Sequence, residues 1–127
     1  MGIKHTIRLE IRSIGSPDVE FDSWKPSTNE EIFFLIEIEI GETGVEGADL
    51  FQVVVATPEA LRARSITGKY TIRDRSTIVV SNYDWKKIKN ALEAIIRSCE
   101  SESWETSTLN LQRYFVWEYE TYKIEDG

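Results

Sequence analysis

The sequence predicts an α+β fold: a largely antiparallel sheet of about five strands, with two or three helices packed on one face. Three stretches carry that prediction. Ile36, Ile38 and Ile40 alternate with Glu37 and Glu39, the period-two pattern of a strand with one dry and one wet face. Leu50–Ala56 is apolar at nearly every position, which predicts a strand covered on both faces. Trp85, Ile88, Leu92, Ile95, Ile96 and Cys99 recur at helical spacing, with Lys86, Lys87, Lys89, Glu93 and Arg97 elsewhere around the wheel.

Taken in order, the first strand is expected over Ile3–Arg12, with His5, Ile7, Leu9 and Ile11 on one face. Ser13–Glu30 is a long connector in which Trp24 is expected to anchor the chain to the body of the domain. Strand two follows over Ile32–Ile40, and strand three over Leu50–Ala56. Thr57-Pro58-Glu59 combines a capping hydroxyl, a ring pre-set for the first turn and a charge that suits the helix dipole. That helix is expected to end near Arg64, with Gly68 in the turn beyond it. A fourth strand region falls within Lys69–Asn82, as Tyr70–Ile72 and Thr77–Val80 with a turn or bulge at Asp74-Arg75. Asn82 is read as the cap of the main helix, Tyr83–Cys99, and Ser101 or Ser103 as the cap of a shorter one reaching Gln112. A last strand should place Phe115, Trp117 and Tyr119 on one face and Val116, Glu118 and Glu120 on the other. Residues 1–127 are read as a single domain, ending in a polar tail from 122 to 127.

The formal net charge of −7 is unevenly placed. Residues 1–63 hold five bases and twelve acids, whereas 64–127 hold ten of each. Between 18 and 49, ten acids face one base, Lys25. Such a half repels phosphate, so direct binding to nucleic acid or to an anionic membrane is not expected, and a basic partner is. Solubility is the plainer account of the same charge. No apolar run approaches the ~20 residues of a membrane span, and the N-terminus lacks a signal-peptide core, so a cytoplasmic location is expected.

No metal or other cofactor and no catalytic residue is predicted. One histidine and one cysteine, 94 positions apart, do not make a zinc set, and Cys99 falls on the apolar stripe of a helix, where a thiol is inert. Gly41, Gly44 and Gly47 form a G-x-x-G-x-x-G pattern, but Glu42, Glu46 and Asp49 around them oppose a phosphate. Turns that need positive φ account for these glycines. The acids could in principle serve a glycosidase, but they alternate on an exposed strand face, where carboxylates are solvated. A base-stacking role for the aromatic last strand is opposed by Glu118 and Glu120 beside the rings.

The run G-E-T-G-V-E-G-A-D-L-F-Q-V-V-V-A-T-P, then S-N-Y-D-W-K-K-I, C-E-S-E-S-W-E and Y-F-V-W-E-Y-E-T-Y, resembles the bacterial immunity protein 8 family over roughly Ile7–Tyr122. The most specific pieces are Glu46–Phe51, Thr57-Pro58, Cys99-Glu100 with Trp104, and Trp117-Glu118; the Ser65–Arg75 segment departs from the pattern. Phe51, Trp104 and Trp117 are read as core. The resemblance implies a cognate polymorphic toxin as partner, and many such toxins are nucleases with basic clefts. It supplies no catalytic residues. With the charge pattern, it makes Glu37, Glu39, Glu42, Glu46 and Asp49, together with Glu30 and Glu31, the expected toxin-facing patch. The alternative is a non-enzymatic interaction module or regulator with no toxin partner.

Overall fold

The computed structural model describes residues 5–67 and 76–120. In chain order they form β1 (Leu9–Gly15), a single 3-10 turn (Asn29–Glu31), β2 (Phe33–Glu42), β3 (Asp49–Ala56), α1 (Pro58–Thr67), β4 (Thr77–Val79), α2 (Trp85–Ser98), α3 (Trp104–Leu111) and β5 (Val116–Trp117). The fold is α+β, as the sequence predicts. The sheet runs β1-β2-β3-β4, with β5 also on β3. The β1–β2, β2–β3 and β3–β5 pairs are antiparallel, and β3–β4 is parallel. Because β5 takes Phe51 and Gln52 while β4 takes Val54–Ala56, two short strands share the far edge of β3 end to end.

Alternation decides what is buried. Phe34, Ile36, Ile38 and Ile40 from β2 meet Phe51, Val53 and Val55 from β3, all at most 1% exposed. Ile88, Leu92, Ile96 and Cys99 at the α2 stripe, Leu111 of α3, and Phe115 complete this core. Each such side chain contributes about 1.5–3 kcal/mol on burial. α2 and α3 therefore cover one face of the sheet, while α1 lies against the 3-10 turn, its Arg64 guanidinium 3.9 Å from the centre of the Phe33 ring. Thr57 caps α1 as expected, accepting from the Ala60 N–H at 3.1 Å, and its hydroxyl donates to the Asn29 carbonyl.

The long connector is tied down by aromatic contacts. Trp24 packs edge-on against Phe34 and Tyr83, and Phe21 stacks on Trp85 at 3.8 Å. The Tyr83 hydroxyl donates to the Phe21 carbonyl at 2.5 Å.

Several expectations are corrected. The first strand starts at Leu9 and not at Ile3, so His5 is exposed and off the sheet. It also runs on to Gly15, because a bulge at Arg12 shifts the register between Ile11 and Ser13 and turns Ile14 to the inner face. α1 continues to Thr67, past Arg64. The cap of α2 is Asp84, whose carboxylate accepts from the Lys87 N–H at 3.2 Å, and not Asn82. The Phe21 contacts hold Tyr83 just ahead of the helix and Trp85 as its first residue, which leaves Asp84 between them at the cap. Ser103 caps α3. β5 is only two residues long, and the alternation fails beyond it: Tyr119 is 47% exposed and Glu120 is buried. Expectations about Ile3, Gly68, Tyr70–Ile72, Asp74-Arg75 and the 122–127 tail lie outside the described residues. No helix among the described residues is long and apolar enough to cross a membrane.

Candidate functional site: an acidic sheet face and hairpin end

The register draws the outer face of the sheet row by row, since directly opposed residues of antiparallel strands point the same way. One row reads Gly15, Glu37, Gln52, Val116. The next reads Ser13, Glu39, Leu50, and then Glu118, whose N–H donates to the Leu50 carbonyl at 2.9 Å. On the other side, Leu35 opposes Val54, which opposes Thr77. Gln52 donates to the Glu37 carboxylate at 3.0 Å, Ser13 to the Glu39 carboxylate at 2.6 Å, and the Leu50 N–H to that of Glu118. Glu37, Glu39 and Glu118 rim an open depression of about 620 Å³ floored by Leu50 and Ala48. Among the described residues, no lysine or arginine forms an ion pair with any of these three carboxylates. Where β1 has ended, the Asp18 carboxylate accepts the Leu35 N–H at 2.9 Å.

The second acidic group sits at the β2–β3 hairpin end. Glu42, Glu46 and Asp49 line a depression of about 300 Å³ with Val45 and Trp104. The turn is held from behind by Arg12, whose guanidinium donates to the Glu42 and Val45 carbonyls at 2.7 and 2.6 Å and pairs with Glu10 at 2.7 Å. Gly44 and Gly47 have φ of +84° and +95°, so these two glycines do serve turns that need positive φ. Gly41 is required for another reason: a Cβ there would stand 2.6 Å from the Gly47 carbonyl oxygen. Asp49 is partly committed, since its carboxylate accepts from the Trp117 indole N–H at 2.9 Å.

Of the seven acids singled out in the sequence, the structure brings Glu37 and Glu39 together on the sheet face. It brings Glu42, Glu46 and Asp49 together at the hairpin end. Glu30 and Glu31 are joined to neither. They are exposed in the 3-10 turn, where Glu31 accepts from the Ser27 N–H, at the opposite end of the ten residues of β2. At ~3.3 Å per residue, Glu31 stands about 20 Å from Glu37 and more than about 30 Å from the hairpin acids. Glu118 was missed as a member of the patch. Its place depends on β5 pairing with β3 across 68 positions, which no local pattern signals. Trp104, expected in the core, is half-buried and faces the hairpin depression. No cluster of His, Cys, Asp and Glu among the described residues is arranged to hold a metal ion.

The segments that carried the family resemblance meet in space. Asp49 bonds Trp117, Leu50 bonds Glu118, and the Glu100 carboxylate accepts the Leu9 N–H at 2.7 Å, tying the start of β1 to the α2–α3 junction. A family model described as Immunity protein 8 matches residues 9–122. No curated protein and no solved structure matches the chain.

Proposed function

Because the chain belongs to the immunity protein 8 family, we propose that it binds and neutralises one cognate bacterial toxin, covering a basic, nuclease-like active site with an acidic surface. It acts by binding and not by turnover, as a single domain, in the cytoplasm that the toxin would otherwise attack. The observation that carries this reading is the set of carboxylates on the sheet face and hairpin end that are bonded to neutral donors or left to solvent. Among the described residues no ion pair neutralises them, so their field reaches an approaching cation and speeds encounter. Glu37, Glu39, Glu42, Glu46 and Asp49 form this surface, and Glu30 and Glu31 extend the field at the far end of β2.

The test is the association rate with the toxin domain encoded beside this chain, measured by stopped flow as salt rises. Salt screens steering of this kind, so the on-rate should fall by about tenfold or more between low and physiological ionic strength. Glu→Gln changes at 37, 39, 42 and 46 together should flatten that dependence and weaken binding. An on-rate indifferent to salt, or full binding by the fourfold variant, rejects the reading.

A further inference from the structure

Resting on that reading, we propose that the toxin is anchored on the open outer face of the sheet, by a basic surface carrying an apolar side chain that seats on Leu35, Leu50, Val54 and Val116. The hairpin acids only steer it there.

β3 is flanked on both sides by other strands of the sheet. Its near-continuous apolar run predicts burial on both faces, yet the described chain covers one with helices and reaches the other at its Phe33 end, where Arg64 of α1 lies over the ring. Phe51, Val53 and Val55 are in the core, whereas Leu50 and Val54 on the other face stay partly exposed and outside the core cluster. Leu35 beside Val54, and Val116 in the row between, are likewise partly exposed and outside it. Apolar residues in the middle of a sheet face, rimmed by polar ones, are what a partner's anchors need.

Charge selects the occupant. Glu37, Glu39 and Glu118 stand among these apolar positions, so the occupant must bring lysine or arginine. A second copy of this chain does not fit. A two-fold contact through this face would set the same carboxylates against one another. The area suffices: four strands at ~4.8 Å and about nine residues of β2 outline roughly 20 by 30 Å. That approaches the ~800 Å² per partner of a standard interface. Glu42 and Glu46 lie off this face, at the hairpin end, where Glu42 keeps the phase of Ile38 and Ile40 and both share a depression with Trp104 of α3, so their charge acts on the encounter and not on the lifetime of the complex.

The experiment separates the two rates with the same toxin domain. Leu35→Gln with Val54→Thr should raise the off-rate about tenfold or more while leaving the on-rate within about twofold. Glu42→Gln with Glu46→Gln should do the reverse. Both outer-face substitutions replace partly exposed side chains, and Val116→Thr gives an independent position should the double variant melt early. Unchanged off-rates in the outer-face variants, with melting curves intact, overturn the proposal. So does a concentration-dependent dimer of the wild-type chain that the same substitutions dissolve without loss of toxin binding. If the wild-type chain does not bind the toxin at all, the functional reading fails first, and this inference falls with it.

Discussion

Gly41→Ala tests how tightly the acidic hairpin is built. The added methyl would lie 2.6 Å from the Gly47 carbonyl oxygen and 2.9 Å from an Arg12 guanidinium nitrogen, distances no real Cβ contact shows. Backbone at Gly47 cannot yield easily, because that residue closes the turn at φ +95°. If Arg12 moves instead, it gives up its bonds to the Glu42 and Val45 carbonyls. Overpacking costs about 1–3 kcal/mol, and a hydrogen bond to a charged group contributes about 1.5–3 kcal/mol. Because relaxation trades one against the other, the net cost is about 3 kcal/mol. With 127 residues and ~2.1 cal/mol/K of unfolding entropy per residue, Tm should fall by about 10 °C. Thermal melts followed by far-UV circular dichroism read this directly. Gly15→Ala is the control, since its Cβ would meet nothing within 4 Å. A Gly41→Ala protein that melts within about 2 °C of wild type would refute the close-approach argument.

Three further predictions concern the helices and the connector. Asp84→Ala should cost about 1 kcal/mol, or about 4 °C in Tm, by removing the α2 cap. Asn82→Ala should be nearly silent, and the opposite order in melting experiments would return the cap to Asn82. Burial, with Asp22 nearby as the lesser cause, pushes the Tyr83 phenol above its ordinary value. The neutral phenol is thus favoured in the fold. Its contribution is complete below the unfolded value of about 10 and declines as pH rises through the folded value. Denaturant titrations should therefore show wild type ahead of Tyr83→Phe by about 1 kcal/mol at neutral pH, with the gap closing above about pH 10. A gap that holds or widens there contradicts the assignment. Burial likewise raises the Cys99 thiol, against smaller lowering effects of Ser98 and Arg113. In native protein it should resist alkylation at pH 8 and react only on unfolding.

What the sequence determined by itself was whatever local periodicity encodes. The alternation of Ile36, Ile38 and Ile40 and the stripe of Ile88, Leu92 and Ile96 name the buried faces of β2 and α2, because one buried face is all that such patterns allow. Gly44 and Gly47, on either side of Glu46, already marked a turn, whereas Gly41 lies within β2. Tertiary structure decided the rest. One extra residue at Arg12 turns Ile14 inward and places Ser13 beside Glu39, and period-two reading cannot see a bulge. Asp84 prevails over Asn82 because Phe21, far upstream, holds Tyr83 and Trp85. Pairing of β5 with β3 brings Glu118 into the same row as Glu39, across Leu50, while the length of β2 carries Glu30 and Glu31 away from acids that neighbour them in sequence. Position in sequence sets which side chains share a strand face, but only the pairing of distant strands sets which carboxylates share a surface.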